Sequence, residues 1–189
     1  MSLTDEERLH YEQALLELRT LQRVAEELSR SLDLDEVLGR CLDLAVEAAH
    51  AVAGVIYLHD ARRSAFRRVT VRRLTEEQAV PFLPADLVMQ SLAGSSLEVP
   101  IQADSSQAMV KAAWDAGIRR VVMLALRGEQ SQLVGFLAVH FLDPTPLGAT
   151  LRTLEALARQ GALAITNARV HQVVERRARL AVGLRGLRP

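Results

Sequence analysis

Residues 121–142 read VVMLALRGEQSQLVGFLAVHFL, and this stretch decides the fold class. Two apolar runs, Val121 to Leu126 and Leu133 to Leu142, are rich in residues that favour β-strands. The residues between the two runs are polar. Two strand-like runs joined by a short polar turn predict an antiparallel β-hairpin. The protein therefore contains an antiparallel sheet, and the rest of the chain has to supply its other strands and its cover.

Three further strands are predicted upstream of the hairpin. Ala53 to His59 is short, apolar and rich in β-forming residues. In Ala65 to Arg73, apolar residues alternate with arginines, which predicts one buried face, one solvated face and an edge position. Leu97 to Ile101 is a short strand, and its Pro100 also favours a sheet edge, because proline cannot donate a hydrogen bond to a neighbouring strand.

The chain begins with a long amphipathic segment. Between Tyr11 and Leu32, apolar residues recur at alternating steps of three and four. Such a heptad pattern with charged flanks is typical of a helix that packs against a partner helix, either in the same chain or in a second copy. We therefore predict a homodimer that the end helices hold together. The predicted contact residues are Tyr11, Leu18, Leu21 and Leu28, with the C-terminal helix beside them.

Other helices follow from capping and periodicity. Asp33 and Glu36 have the spacing of a capping box and predict a helix from about Leu34 to Ala49. The remaining predicted helices are Asp86 to Leu92, a helix from Asp104 or Ser105 to Ala116, and a long final helix from about Leu147. Gly161 lies inside the final helix, where glycine costs about 1 kcal/mol relative to alanine. It permits close helix approach, a bend, or simply tight packing.

The order of elements is helix, helix, strand, strand, short helix, strand, short helix, strand, strand, long helix. This order predicts an α+β fold, an α/β sandwich with a central antiparallel sheet of about five or six strands. The N- and C-terminal helices pack on one face, and short helices and loops cover the other. We divide the chain into a coiled-coil-like helix (residues 1–32), a folded domain (33–170), and a helix extension with a basic tail (171–189).

Composition and charge argue against nucleic-acid and membrane partners. The net charge is zero, so no overall field attracts polyanions. The arginines at residues 67, 68, 72 and 73 are interpreted as a solvated strand face, because no interleaved aromatic residues offer base stacking. No apolar run reaches the length of about 18 residues that a membrane span needs, and the polar, acidic N-terminus is no signal peptide. We predict a cytoplasmic, bacterial protein.

The chain resembles the GAF domain family over most of its length. The stretches that carry the resemblance are Ala85 to Gly94 with Leu97 to Ile101, Ala116 to Leu126, Leu133 to His140, and Leu154 to Val170. They are similar to the family's short helix, glycine turn and third strand, to its fourth and fifth strands, and to its final helix. The resemblance implies a GAF/PAS-like sensory domain with a ligand pocket and a downstream output domain, such as a kinase, cyclase or transcription domain.

Two departures from the family pattern bear on the ligand. The stretch from Arg73 to Pro84 is short, and in the family this region helps to wall the pocket, so we expect a small or open pocket. The asparagine-lysine-phenylalanine-aspartate-glutamate pattern of members that bind cyclic nucleotides is also missing, and Lys111 lies in no such setting.

We find no constellation of catalytic residues. Cys41 is the only cysteine, whereas reduction of a sulfoxide by thiols needs an attacking and a resolving cysteine. Its place on the buried helix face indicates a core residue and argues against a covalent bilin. His59 and His140 end neighbouring strands, where a pair of imidazoles could hold a metal or a haem. We interpret them as strand-end residues, because no third ligand has metal-site spacing. We predict no enzyme activity, cofactor or metal.

The predicted ligand-binding residues follow from position rather than from a motif. Four are bulky residues in or beside the segment that covers the sheet, and two are polar residues before a helix N-terminus that could receive an anion. They are Tyr57, Phe82, Met89, Trp114, Asp104 and Ser105. The alternative is that the bulky residues form an ordinary secondary core.

Two hypotheses about function result. The first is a non-catalytic module that binds a small molecule and relays a signal through dimeric end helices. The second is a ligand-free dimerisation and docking module of a signalling or transcription-regulatory protein.

Overall fold

The structure, a computed structural model, describes residues 22–144 and 147–185 together with residues 8, 15 and 19, and in the last helix it describes side chains up to residue 179. Within these ranges the elements are α1 (residues 22–28), α2 (Leu34–Ala48), β1 (Ala53–Asp60), β2 (Ala65–Arg72), β3 (Phe82–Pro84), α3 (Ala85–Ser91), β4 (Ser96–Pro100), α4 (Ala108–Asp115), β5 (Arg120–Arg127), β6 (Leu133–Phe141) and α5 (Ala149–Arg185).

The strands form one sheet in the order β3-β2-β1-β6-β5-β4, and every neighbouring pair is antiparallel. The predicted hairpin is confirmed as β5 and β6, which pair from Arg120 with Phe141 to Arg127 with Leu133. β4 lies at a sheet edge, as its proline indicated. The predicted α+β fold with a central antiparallel sheet is confirmed, and β1 and β6 lie at its centre.

β2 is not the edge strand that its alternating pattern predicted. The short strand β3 pairs with the first residues of β2, from Ala65 with Pro84 to Arg67 with Phe82, and takes the edge position. A strand of three residues carries too little periodicity to be predicted, and Pro81 and Pro84 are typical of a loop. β3 covers only the first half of β2: it pairs up to Arg67, and the Arg68 backbone N–H donates to the Pro81 carbonyl oxygen at 2.9 Å, whereas Arg72 lies beyond this pairing.

Helices α2 and α5 pack on one face of the sheet and enclose the larger core, which is mainly aliphatic. α2 begins where the capping pattern indicated, because the Asp33 carboxylate accepts a hydrogen bond from the Glu36 backbone N–H at 3.0 Å. Leu154, Leu157 and Ile165 of α5 are buried in this layer. Within the described ranges, no helix is both long enough and apolar enough to cross a membrane.

Leu28 is a core residue of its own chain, which corrects its assignment to a contact between two chains. Its side chain is 1% exposed, and with Val24 it joins the cluster formed by α2, α5 and the sheet. α1 and α5 line one groove, so at Leu28 the heptad pattern serves packing within the domain. Tyr11, Leu18 and Leu21 lie outside the described residues.

Candidate ligand-binding site

A cavity of about 180 Å³ lies on the face of the sheet opposite α2 and α5. Alternate residues of three adjacent strands form its floor, because side chains two apart on a strand point to the same face. The floor residues are Val55 and Tyr57 of β1, Phe136, Ala138 and His140 of β6, and Val121 and Met123 of β5. The edge strands β3 and β4 add Leu83 and Val99, and the covering segments add Gln78, Ile101, Gln107, Met109, Val110 and Ala113.

Two stacked aromatic rings form part of the floor. The rings of Tyr57 and Phe136 lie nearly parallel, at 10°, with their centroids 4.9 Å apart. The Tyr57 hydroxyl donates a hydrogen bond to the Val80 carbonyl oxygen at 2.8 Å, which ties the covering segment to the sheet. Burial raises the pKa of Tyr57 to about 12, although Arg68 acts in the opposite direction. The phenol therefore stays protonated and keeps this bond at neutral pH.

His140 lines the cavity and carries a buried polar atom without a partner among the described residues. The residue is 5% exposed, and its Nδ1 has no hydrogen-bond partner among the residues that the structure describes. Desolvation lowers the pKa of His140 to about 4, while a hydrogen bond with the Ala53 backbone acts in the opposite direction. The imidazole is therefore neutral at pH 7.

The two other polar side chains of the cavity, apart from Tyr57 and His140, either form hydrogen bonds within the protein or are exposed. The Gln78 side-chain oxygen accepts a hydrogen bond from the Thr75 backbone N–H at 2.9 Å, and its nitrogen donates to the Ala112 carbonyl oxygen at 3.4 Å. Gln107 is exposed. No Asp, Glu, Lys or Arg is among the described residues that line the cavity. The site is thus apolar and uncharged, as ligand pockets commonly are.

Other concave surfaces have a different character. A groove of about 390 Å³ between the β5–β6 turn and α5 is larger, but charged residues such as Arg127, Glu155 and Arg159 line it. The apolar cavity is the better candidate for a specific small-molecule site, because ligand pockets are lined mainly by apolar and aromatic side chains.

The family model of the GAF domain matches residues 31–166. The chain belongs to the GAF domain family. Solved GAF domains share the architecture described above. The GAF domain of a phosphoenolpyruvate-protein phosphotransferase from Acinetobacter is 18% identical, with a TM-score of 0.65, and the match covers 83% of this chain and 97% of that one.

Two further structures extend the comparison. The GAF domain of a protein described as a sensor histidine kinase from Pseudomonas syringae pv. tomato is 17% identical (TM-score 0.65; 90% of this chain and 98% of that one). A bacteriophytochrome from R. palustris is 14% identical (TM-score 0.65; 90% of this chain and 41% of that one). The comparison with curated proteins gives no match. At these identities the likeness concerns the fold alone.

In this GAF domain, Tyr57 lines the cavity, whereas the other five residues predicted to bind a ligand lie outside its lining. Phe82 is 44% exposed on β3, and the Arg63 guanidinium lies 5.4 Å from the centre of its ring. Met89 is also 44% exposed, on α3. The sequence prediction used size and position along the chain, but neither quantity says which face of a short element points toward the sheet.

The remaining three residues lie around α4. Asp104 is exposed, and Ser105 accepts a hydrogen bond from the Gln107 backbone N–H at 3.3 Å. Trp114 is half-buried, and the Arg119 guanidinium lies 3.7 Å from the centre of its ring. α4 presents a different set of side chains to the cavity, namely Met109, Val110 and Ala113.

The sequence-based prediction did not include most residues of the cavity floor, although their spacing along the strands is a signal for them. Phe136, Ala138 and His140 are two apart on β6, and Val121 and Met123 are two apart on β5. Strand periodicity predicts that each set shares a face. It does not predict which face carries the helices and which the cavity, because both faces of this sheet are covered and both sets of residues are apolar.

The structure rules out the metal or haem pair considered for His59 and His140. β1 and β6 are antiparallel neighbours, with Ala53 opposite His140 and Leu58 opposite Gly135. The two histidines therefore lie at opposite ends of the pair, about 20 Å apart at the usual rise of about 3.3 Å per residue. Within the described ranges, no group of three or more histidine, cysteine or acidic residues could hold a metal ion.

Cys41 is a buried residue of the helix layer, as predicted. It is fully buried on α2, and desolvation raises the pKa of its thiol to about 12. A thiol rather than a thiolate is present at neutral pH, so Cys41 has the character of a small apolar side chain.

Proposed function

We propose that this GAF domain is a non-catalytic sensory module that binds a small molecule in the cavity and passes the signal on through its end helices. The observation that carries the proposal is the apolar, uncharged cavity between the sheet and the segments that cover it. Ligand sites in proteins commonly have this character.

A regulatory role fits the chemistry of the cavity better than catalysis. Among the described residues that line it, His140 is not accompanied by a serine, cysteine, lysine or carboxylate. Nucleophilic catalysis needs a nucleophile with an activating base within hydrogen-bonding reach, and the described lining offers no such pair. A single neutral imidazole in an apolar cavity can bind and orient a ligand.

A hydrogen-bonded connection leads from the cavity side of the sheet to α5. α3 packs beside the aromatic floor through Val88, and Leu92 directly after the helix joins the same cluster. The chain then turns around the sheet edge, where the Arg127 guanidinium donates hydrogen bonds to the carbonyl oxygens of residues 92, 93 and 94. The Ser95 and Ser96 hydroxyls donate to the Glu155 carboxylate at 2.7 and 2.6 Å.

This connection supports the proposed relay. Glu155 lies in the first turns of α5, so a ligand that moves α3 also shifts the contacts of the helix that leaves the domain. A ligand changes the state of the helix only by as much as it binds two arrangements differently. We further propose that the module works in the cytoplasm and that α5 leads toward an output domain of a signalling protein. The Pseudomonas domain described above is named as part of such a protein.

Filling the cavity should abolish ligand binding. Ala138 lies in the cavity floor and is 4% exposed, so Ala138→Leu places three additional carbon atoms in the ligand space. At a ligand concentration of about 100 Kd, binding adds about 2.7 kcal/mol to the stability of the native protein. We expect a rise in Tm of about 5–10 °C in thermal scans with small-molecule mixtures, and we expect Ala138→Leu to lose it.

Ala61→Leu, in the exposed β1–β2 turn, is the matched control because it adds the same atoms outside the cavity. It should keep the full rise in Tm. If both variants keep the rise, the ligand binds elsewhere. Native mass spectrometry of the purified protein supplies an independent measurement of retained ligand.

A second candidate function, dimerisation and docking, has its own support. α5 contains 37 residues, and beyond Ala168 its described side chains are largely exposed. Leu163, Val170 and Val174 are 46%, 59% and 59% exposed. They are seven and four residues apart, which is the spacing of a coiled-coil seam. We propose that Leu163, Val170 and Val174 form an apolar stripe through which the α5 helices of two chains form a homodimer. A ligand-dependent change in the position of α5 would then act on this dimer contact.

A charge in the stripe should weaken the dimer. Val170→Asp adds a carboxylate at the proposed contact, and Gln172→Asp adds the same charge elsewhere on the helix, where residue 172 is also exposed. We expect the dimer dissociation constant of Val170→Asp, measured by sedimentation equilibrium, to rise at least about tenfold, since burying an unpaired charge costs more than about 1.4 kcal/mol. Equal values for both variants would place the dimer contact outside the stripe.

A further inference from the structure

We infer that a groove on the helix side of the sheet is a second binding site, and that it binds a dianion of the phosphate-monoester class. The groove lies between the tip of the β1–β2 hairpin, the start of α2 and the exposed part of α5. Arg62 of the hairpin turn, Arg67 of β2 and Arg169 of α5 line it. This site is additional to the proposed function and does not depend on it.

The groove lies on the opposite side of the sheet from the cavity. Arg67 pairs with Leu58 of β1, and paired residues of antiparallel strands point to the same face. The Leu58 side chain belongs to the core that α2 and α5 enclose, so the Arg67 side chain is on that side as well. A ligand of the groove is therefore separate from a ligand of the cavity.

The arginines of the groove differ from the other arginines of the hairpin in having no partner. Salt bridges with acidic side chains, at 2.7, 3.0 and 2.6 Å, engage Arg63, Arg68 and Arg72. Within the described part of the chain, the guanidinium groups of Arg62, Arg67 and Arg169 form no salt bridge and no hydrogen bond. All three are exposed and available to a ligand.

The charge of the groove is positive. Asp60 is the one carboxylate among the described residues that line it. Its partner is Arg63, whose hydrogen bond at 2.7 Å holds the pKa of Asp60 below the usual value, so this carboxylate is ionised and already engaged at neutral pH. Three guanidinium groups thus face a single, paired carboxylate. A concave surface lined mainly by one sign of charge concentrates its field and attracts the opposite charge.

The number of guanidinium groups favours a phosphate monoester over other anions. The planar fork of arginine matches the oxygens of phosphate and carboxylate groups. A phosphate monoester has three terminal oxygens and close to two negative charges at neutral pH, so each guanidinium can bind an oxygen. A carboxylate offers two oxygens and one charge, and a phosphodiester also carries a single charge. Either of these leaves part of the positive charge without a partner.

The proposed dimer contact leaves the groove accessible. Arg169 and Gln172 line the groove and are three residues apart, so they share one side of α5. At about 100° per residue, Val174 lies about 140° around the helix from Arg169, and Val170 lies about 160° from Gln172. The apolar stripe and the groove are therefore on opposite sides of α5.

Isothermal titration calorimetry of the full chain tests the charge requirement. At about pH 8, methyl phosphate is a dianion, whereas dimethyl phosphate and acetate each carry one charge. The ionic strength is kept at about 0.15 M, where exposed charges more than about 8 Å apart are largely screened. We expect methyl phosphate to bind at least about tenfold more tightly than either monoanion, because its second charge also faces a guanidinium.

A short, otherwise uncharged peptide with one phosphoserine distinguishes the two sources of a phosphate monoester. If it binds at least about tenfold more tightly than methyl phosphate, the ligand is a phosphorylated protein segment, since the added affinity comes from the peptide. If the two affinities are similar, the ligand is a free phosphate ester. Both results agree with the inference.

Two groove variants and a matched control test the location. Arg67→Gln and Arg169→Gln each remove one charge from the groove, and Arg152→Gln removes the same charge from an exposed position of α5 outside it. We expect the dissociation constant of methyl phosphate to rise at least about fivefold in both groove variants and to stay within about twofold in the control. All three positions are exposed, so the Tm should not change.

Three outcomes overturn the inference. Equal affinities for methyl phosphate and the monoanions show that the groove does not select a dianion. Equal losses of affinity in the three variants show that the anion responds to the overall charge and not to this groove. The third is that methyl phosphate does not bind at millimolar concentrations. None of these results concerns the cavity, which Ala138→Leu tests separately.

Discussion

Gly161→Ala is expected to destabilise the native protein by about 2 kcal/mol, and to be neutral or stabilising when Cys41 is replaced by alanine as well. A Cβ atom at Gly161 would lie 2.5 Å from the Cys41 Sγ and 3.9 Å from its Cβ. The first distance is far below a van der Waals contact, and the second is an ordinary one. Both residues are buried where α5 crosses α2, so the helices have to separate or the thiol has to move. Overpacking of this kind costs about 1–3 kcal/mol.

Removing the thiol removes the clash. In the Cys41→Ala background, the Cβ atom that Gly161→Ala adds contacts only the Cβ atom of residue 41. The substitution then gains about 1 kcal/mol, because alanine is a better helix former than glycine. Urea denaturation of the four proteins of the cycle should therefore give an interaction energy of about 2–3 kcal/mol between the two sites. Additive effects would mean that the glycine is tolerated for another reason, such as a bend in α5. The contact with Cys41 favours close helix approach over such a bend.

Acidification from pH 7.5 to pH 5 is expected to lower the free energy of unfolding by about 2 kcal/mol through His140 alone. Its pKa is about 4 in the folded protein, against the ordinary histidine value of 6.5 in the unfolded chain. Between these two values the unfolded chain binds a proton that the folded protein does not bind, so stability falls as the pH falls. Above about pH 6.5 both states are neutral, and the residue contributes no pH dependence.

The measurement compares urea denaturation at the two pH values for the native protein and for His140→Gln, which cannot titrate in this range. The variant should lose about 2 kcal/mol less stability on acidification than the native protein. His171→Gln, on α5, controls for the loss of one histidine. If His140→Gln and the native protein lose the same stability, His140 is protonated within the fold.

Much of the fold could be predicted because its signals are local. The β5–β6 hairpin is encoded by two apolar runs and a polar turn, and the start of α2 by Asp33 and Glu36. Each signal involves residues that are close in the chain, so the physical cause can be read without knowing what lies across the domain. β3 escaped prediction because three residues between prolines carry no such signal.

The cavity could be predicted much less well. Of the six proposed ligand residues, Tyr57 lines it, and His140 was considered only as a partner of His59. The antiparallel register of β1 and β6 separates these two histidines and brings His140 opposite Ala53 instead. The register of these strands couples residues that are 77 to 87 positions apart in the chain, and no local pattern contains that information.

The sequence by itself determined the class of the fold, the order of its helices and of every strand except β3, and the absence of a thiol pair, since these depend on residue type and local spacing. Only the tertiary structure decided which sheet face carries the cavity, that Leu28 packs inside its own domain, and that Gly161 lies against Cys41. The reason is physical. When both faces of a sheet are covered, both carry apolar residues, so the sequence does not distinguish the two faces. The role of each residue depends on its neighbours in space, and these come from segments that are distant in the chain.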